Sequence, residues 1–334
     1  MSNWISPDIR SNDLQNSFSQ QCELAQSRKP DFFPSIRDDS ELVIAGDYSG
    51  EHAESAFDVI TLLLADRPGI LDSWEAARCQ IRESLLPDGR RHAYKRLSDS
   101  LRQKALIPFL RASSAINGIL LCVAFDKSLS KTNIGISQHA ESVLNPTVYS
   151  KLSKIASFGS ILTSGLAREG QNLLWITDDD AIVSNERHQI ETYGVIRQTL
   201  DAFCPFTMGD VNFGIASKFE DNRRAEDLCA IPDLIGGAIA ASLTELGGPR
   251  AISRQTELTT SLNKHIATKN ALITAWFSEP SQLKRMLCVV RPNENGTILM
   301  SFSTLTCRIA QQYDLKLWVP IDKGWKKVIR NNLT

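Results

Sequence analysis

Glu41-Leu-Val-Ile-Ala-Gly-Asp-Tyr-Ser-Gly-Glu51 is the stretch on which the reading of the chain turns. Leu42 to Gly46 are all apolar or small, which predicts a strand buried on both faces. Asp47 follows at the strand's end, and Ser49-Gly50 supply a turn. Aspartate is depleted from strands and is rarely buried without a partner. The carboxylate therefore needs a hydrogen-bonding turn, a cation or a ligand. An Asx-type turn, in which the side chain accepts from nearby backbone N–H groups, explains Asp47 taken alone as well as any chemistry does.

Working outward, Ser55 to Leu64 reads as the hairpin partner of this strand. Asp66-Arg-Pro-Gly breaks the pattern, and Trp74 to Leu86 has helical spacing. His92 to Leu97 predicts a short strand, with Ser98 as N-cap of a helix running to about Ala112. Ile116 to Phe125 is a second buried strand and ends at Asp126-Lys127. A helix over 146–167 precedes a third buried strand, Leu173 to Thr177, which runs into Asp178-Asp179-Asp180. Glu186 to Phe203 is helical with Ile190, Tyr193, Ile196 and Leu200 as its inner face, and Val211 to Ala216 is a further strand. A long helix from Arg224 to Leu246 carries Asp233 and the small residues Gly236-Gly237, and stops at Gly247-Gly-Pro249.

Strands alternating with helices predict an α/β fold with a mixed sheet flanked by helices. Beyond the break the pattern changes to a helix over Thr256 to Phe277, a hairpin of 286–290 with 297–302, and a last strand near Leu315 to Val319. Lys323, Lys326, Lys327 and Arg330 give that end a basic tail. Residues 1–39, rich in Ser, Gln, Asn and Asp, read as an extended N-terminal arm. Residues 40–248 form the main domain, and 255–334 an appended C-terminal α+β extension.

The chain has 334 residues, 42% of them hydrophobic and 22% charged, enough for a substantial core. A formal net charge of -1 gives no global pull toward nucleic acid or membrane, so any polyanion site must be a local patch. The seven cysteines are scattered and contain no C-x-x-C pair, which favours reduced thiols and excludes a common zinc pattern. No secretory leader is legible at Met1-Ser-Asn-Trp and no apolar run is long enough to span a membrane, so a cytoplasmic location is expected.

The acids then form one question. Asp47, Asp126 and Asp178–Asp180 each follow a buried strand, and Asp233 lies inside an apolar helical stretch. Ligands of open α/β sheets gather at the carboxyl ends of strands, where side chains from separate strands can converge. Clustered like charges require a neutralising cation, and magnesium takes such oxygen ligands while keeping room for water and phosphate. Two such ions clamp the attacking and leaving oxygens of a phosphodiester. Against this, Asp178–Asp180 could simply cap the helix beginning near Ser184, and Asp233 after Pro232 could sit in a first helical turn. Spacing alone leaves both accounts open.

The ordered series resembles the RNase H-like (retroviral-integrase-type) superfamily. Within it the chain resembles a widespread, largely uncharacterised bacterial family with D-E-S-G and A-D-L-I-A-G motifs. The matching segments are Gly46-Asp-Tyr-Ser-Gly50, Thr177-Asp-Asp-Asp180 and Pro232-Asp-Leu-Ile-Gly-Gly237, with His92-Ala-Tyr-Lys-Arg-Leu97 and Val123-Ala-Phe-Asp-Lys-Ser128 between the first two. Tyr48 replaces the family's acid after the first Asp, and Pro232 replaces an Ala. The resemblance covers about residues 41–246. It implies a metal-dependent nuclease or phosphodiester-transfer enzyme using magnesium or manganese, with Asp47, Asp178 and Asp233 as metal ligands and Asp126 and Asp179 as the next candidates. The implied partner is DNA or RNA, with no membrane, and with a protein partner or a second copy of the chain allowed.

Two other function classes use the same residues: a non-catalytic nucleic-acid-binding scaffold with a degenerate site, and a small-molecule phosphatase. A dehalogenase-type phosphatase wants a second acid two residues after the first, where this chain has Ser49. No P-loop is present, and no cysteine has a base nearby in sequence. The run from Arg78 to Arg111 is basic; Arg90, Arg91, Lys95 and Arg96 within it, with Lys127, are candidate phosphate contacts, although charge runs are commonly solvated faces.

Overall fold

The computed structural model describes residues 4–7, 13–131, 141–245, 268–292, 295, 297–303, 318–321 and 324–327. Helix α1 (Asp13–Arg28) comes first, followed by the antiparallel pair β1 (Glu41–Ser49) and β2 (Phe57–Asp66). Helices α2 (Arg67–Ser73), α3 (Glu75–Leu85) and α4 (Ser100–Ser113) lead to β3 (Gly118–Asp126). Then come α5 (Pro146–Leu166), β4 (Asn172–Thr177), α6 (Glu186–Phe203), β5 (Val211–Ile215) and α7 (Arg224–Glu245). Helix α8 (Thr268–Ser278), β6 (Lys284–Pro292) and β7 (Ile298–Ser303) follow, and the hairpin β8 (Trp318–Ile321) with β9 (Gly324–Lys327) closes the described chain.

The fold is α/β, as the alternation predicts. Seven strands form one mixed sheet in the order β5-β4-β1-β2-β3-β6-β7. β1 lies parallel to β4 and antiparallel to β2, and β3 is antiparallel to β2 but parallel to β6. Consequently β1, β3, β4, β5 and β6 all point the same way, and their carboxyl ends share one edge.

Alternate residues of the strands face opposite layers. Val43 and Ala45 of β1 pack with Trp74, Leu106, Leu234 and Trp276 in the layer of α3, α4, α7 and α8. Leu42 and Ile44 face the layer of α1, α5 and α6, with Phe18, Phe158 and Ile196. This two-sided burial is why β1 reads as a continuous apolar run.

Several expectations need correction. The N-terminal arm is not extended: Leu14, Phe18 and Cys22 lie on one buried face of α1, and Trp4 stacks on Phe33 at 5.0 Å between ring centres. Gly165 of α5 makes room for Trp4, since a Cβ there would stand 2.3 Å from the indole. His92–Leu97 is not a strand but a loop with a 3-10 turn at Tyr94–Arg96. The cap of α4 is Asp99, which accepts from the Arg102 N–H at 3.0 Å, rather than Ser98. On α6 the inner residues are Thr192, Val195, Ile196, Thr199 and Leu200, whereas Ile190 and Tyr193 are exposed. The expected boundary near 248–255 lies outside the described residues, as does the start of the helix expected over Thr256 to Phe277. The C-terminal strands β6 and β7 extend the main sheet beside β3 instead of forming a separate unit.

Helix α7 is the one described helix long and apolar enough to cross a membrane, but most of it is buried inside the fold. Its first turns are pinned by charge. Asp227, 1% exposed, receives Arg78 at 3.0 Å and Arg82 at 2.8 Å, both from α3. Arg78 also donates to the carbonyl of Asn222, where Asn222 and Arg223 turn the chain through positive φ into α7. Removing one member of such a network leaves buried charge uncompensated. Asp227→Ala is expected to cost about 3–5 kcal/mol, read as a lower urea midpoint; an unchanged midpoint would show that the network does not hold α7.

Candidate functional site

Asp47 sits near the end of β1 on the α7 face, by the same alternation that puts Val43 and Ala45 there. The Ser49 hydroxyl, two residues on and on the same face, donates to its Oδ2 at 3.0 Å. On the neighbouring parallel strand Gly46 pairs with Thr177, so Asp178 emerges directly beside Asp47. Asp233 comes from above the sheet, inside α7 and not in its first turn. Two glycines bring that helix close. A Cβ on Gly236 would stand 3.0 Å from the hydroxyls of Ser49 and Thr61, and one on Gly237 only 2.2 Å from the Tyr94 ring. The Tyr94 N–H donates to Asp233 Oδ2 at 2.7 Å, which is what the 3-10 turn at 94–96 accomplishes.

Three carboxylates from three elements thus share one face of the sheet's carboxyl edge. Burial, with the charges of Asp233 and Asp178, pushes the Asp47 carboxyl well above the usual carboxylate range, while Ser49 and Lys151 oppose the rise. Burial and Asp178 likewise raise Asp233, against the Tyr94 N–H, Arg91 and Lys95. Like charges held together cannot all ionise without a cation.

The chain supplies part of that countercharge itself. Arg91 forms an ion pair with Asp178 and lies 4.0 Å from Asp179, whose other oxygen accepts from Ser217 at 2.9 Å. Asp180 pairs with Lys151 of α5 and caps the short turn Ala181–Val183. The cap of α6 is Asn185, accepting from His188 N–H at 3.0 Å, so Asp178–Asp180 do not cap that helix.

Asp126 is not brought to the other three. Asp47 is level with Thr61 on β2 and Thr61 with Cys122 on β3, so Asp126 lies four residues farther along and two strands across. That is about 13 Å one way and about 10 Å the other. Its carboxylate accepts the Ser128 N–H at 2.8 Å, a local turn. Lys127 beside it donates to the His52 carbonyl at 2.6 Å and lies 3.9 Å from Asp58. Arg90 is held between Asp88 and Asp99. Lys95 and Arg96 are exposed and, among the described residues, have no ion-pair partner.

Tyr48 proves independent of the carboxylate face. Strand alternation turns it to the α5 side, where Lys151 lies 4.5 Å over its ring and Asp58 shares a hydrogen bond with its hydroxyl. An acid at position 48 would point away from Asp47. His92 is also no proton carrier at neutral pH. It is buried with its ring 4.4 Å from Phe109, and burial with Arg82 and Arg102 pushes it down to about 3. The Nδ1 of His188 is occupied by the Ala181 carbonyl at 3.0 Å and the Ser184 hydroxyl at 2.9 Å.

The residues missed in the sequence are the ones that set the electrostatics. Lys151 and Lys154 are the charged residues of an otherwise uncharged helix, and both are buried, which was the available signal. Tyr94 and Lys269 carried none.

Among the described residues no three His, Cys, Asp or Glu side chains are gathered into a ready metal site. The donor chemistry of Asp47, Asp178 and Asp233 nevertheless suits a hard divalent cation, since all are carboxylate oxygens and burial with neighbouring carboxylate charge raises Asp47 and Asp233. A cavity of about 470 Å³ lies elsewhere, at the amino ends of β3 and β6, between Phe32, Phe277, Arg285 and Met286. No known family model matches the chain, and no curated protein matches it.

The repulsion has a measurable sign. Folded-state values of Asp47 and Asp233 above the unfolded value of about 3.9 mean that the folded chain holds more protons. Their contribution is therefore fully present at low pH and is lost as pH rises through the raised folded range. Asp47→Asn is expected to raise the urea midpoint over wild type, by more at pH 8 than at pH 5. A variant no more stable than wild type at pH 8 would show that the carboxylates do not strain the fold.

Proposed function

We propose that this chain is a metal-dependent nuclease or phosphodiester-transfer enzyme on an RNase H-like core, with Asp47, Asp178 and Asp233 as its carboxylates. The observation that carries the reading is their convergence from β1, the end of β4 and α7 on one face, with Asp47 and Asp233 held above their ordinary range by burial and by the charge of neighbouring carboxylates. A purely structural role gains nothing from such repulsion, whereas functional sites concentrate it. The mixed sheet with Asp47 at the end of a central strand supports the superfamily resemblance. The position of Tyr48 on the opposite face removes one objection to an intact site.

Magnesium or manganese, one ion or two, would be held by Asp47, Asp178 and Asp233, the ligands that the resemblance implies, with Asp179 at the margin. Bound there, such an ion neutralises the acids, polarises a phosphoryl oxygen and activates water. The protein's own groups do the positioning. Ser49 orients Asp47, and the Tyr94 N–H fixes one oxygen of Asp233. Arg91, planar and always charged, pairs with Asp178 and can equally take a phosphate oxygen pair. The described cysteines, buried at Cys22, Cys122, Cys229 and Cys288 and half-buried at Cys79 and Cys204, form no disulfide among the described residues, which fits a cytoplasmic setting.

A second reading has an observation of its own. Arg91 on Asp178 and Lys151 on Asp180 neutralise two acids without metal, as a non-catalytic nucleic-acid-binding scaffold would allow.

Incubation with Mg²⁺ or Mn²⁺ and single- or double-stranded DNA or RNA is expected to give cleavage, reduced at least about 100-fold by Asp47→Asn and by Asp233→Asn. Mn²⁺ is expected to raise the melting temperature of wild type more than that of Asp47→Asn. Cleavage unaffected by both substitutions would overturn the assignment. Metal-independent binding without cleavage would favour the scaffold, and turnover of phosphomonoesters alone a phosphatase.

A further inference from the structure

Only a few members of the basic run remain available to a ligand. Arg78 and Arg82 are committed to Asp227, Arg90 to Asp88 and Asp99, and Arg102 to the Arg91 carbonyl at 2.7 Å. Lys95 and Arg96, on the 3-10 turn, are exposed and carry no ion pair among the described residues. A third cation reaches the same place from a part of the chain outside the family resemblance. Lys269, in the first turn of α8, holds its ammonium 4.2 Å over the Tyr94 ring and 3.4 Å from the Tyr94 carbonyl. The next residue, Asn270, is 4% exposed and accepts the Tyr94 hydroxyl at 2.7 Å, which fixes α8 against the turn.

Tyr94 is therefore a junction. Its N–H holds Asp233, its ring lies against Gly237 one turn farther along α7, and its other face and hydroxyl carry α8 with Lys269. Lys95 and Lys269, from two elements, both act on the Asp233 carboxylate, Arg96 shares the turn of Lys95, and among the described residues none of the three is paired to Asp233 within 4.0 Å. A lone phosphate would need them to converge on one point. Two side chains on consecutive residues of a turn and one on a separate helix are spread instead, which matches successive phosphates of a polymer backbone.

We infer that Lys95, Arg96 and Lys269 form a phosphate track that carries the backbone of a nucleic-acid strand past Tyr94 to the carboxylates. The track rests on the function proposed above and extends it by giving the C-terminal helix α8 a share in the substrate surface. Because its contacts are to phosphates, the track contributes affinity without base preference.

The test uses the full chain carrying Asp47→Asn, so that binding is read without cleavage. Fluorescence anisotropy with labelled single-stranded and duplex oligonucleotides of several sequences is measured over a salt series. Adding Lys95→Ala, Arg96→Ala and Lys269→Ala together is expected to weaken binding at least about tenfold for every sequence. The slope of log affinity against log salt should fall by about 2 units on a single strand, near 0.7 for each lost contact. Lys269→Arg should retain the affinity that Lys269→Ala loses. Lys104→Ala, an exposed lysine on α4, is the control and should change neither quantity. Equal binding by the triple variant and its parent, in a protein whose wild type cleaves, would overturn the track and leave the carboxylate assignment standing. Failure of the parent to bind any oligonucleotide, with no cleavage by wild type, would overturn both. Circular dichroism of the triple variant separates lost contacts from lost fold, with Lys269→Arg as the second reading where the triple variant does not fold.

Discussion

The close approach of α7 to the sheet is the constraint on which the site depends. A Cβ at 237 would run into the Tyr94 ring and one at 236 would press on the hydroxyls of Ser49 and Thr61, so the helix lies at this height because 237 is glycine, with Gly236 easing the fit. Asp233 is one turn before them and is lowered toward Asp47 by the same approach. Glycine in a helix interior costs about 1 kcal/mol relative to alanine. Two in a row, beside a proline at 232 that removes one backbone donor, make this a poor helix by propensity. Its stability comes from burial and from Asp227 between two arginines, which anchor the first turns where the chain enters from a strained left-handed pair.

The second determinant is the two-residue period of β1. It sends Asp47 and Ser49 to the α7 face and Tyr48 to the α5 face, so the two layers meet different halves of one short motif. On the far side, Lys151 joins Asp180, Glu51 and the Tyr48 ring, tying the loop after β1 to the loop after β4. The carboxyl edge is thus held from both faces: by cations from α5 below, and by Arg91 with the Tyr94 turn above. Tyr48 belongs to the clamp, not to the acids.

What was legible in the sequence follows from this geometry. β1, β2 and β3 were readable because they are buried on both faces and therefore continuous in apolar residues, and α6 because Ile196 and Leu200 recur at helical spacing on its buried face. Asp47, Asp178 and Asp233 were readable as strand-end or mid-helix acids, and local turn or cap roles were open for each until the strand register brought them to one face. The 92–97 loop was misread because Tyr94 and Leu97 turn inward for tertiary reasons, which periodicity does not encode. α1 was missed because its buried face mixes Leu14, Phe18 and Cys22 with the polar Gln15, Ser19 and Gln26, which hides the apolar period. Asp126 looked equivalent to Asp47 because sequence shows that a strand ends in an acid but not how far the strand runs past its neighbour. The register with β2 decides that, and it sets Asp126 well beyond the others.

The basic run shows the same limit for charge. Its arginines look alike in sequence, yet Arg78 is fully buried and Arg82 and Arg102 nearly so, while the pair on the Tyr94 turn faces water without an acidic partner among the described residues. Buried guanidinium groups need carboxylates or carbonyls, and each finds them on the element it packs against. Lys95 and Arg96 stand on a turn that is already committed through its backbone and its aromatic ring, to Asp233 on one side and to α8 on the other. Freedom of charge at Lys95 and Arg96 is therefore a consequence of how Tyr94 is held. The residue that fixes an acid in place is also the one that presents the cations beside it. In that sense the acidic edge and the basic surface are one construction, and neither could be moved in the fold without the other.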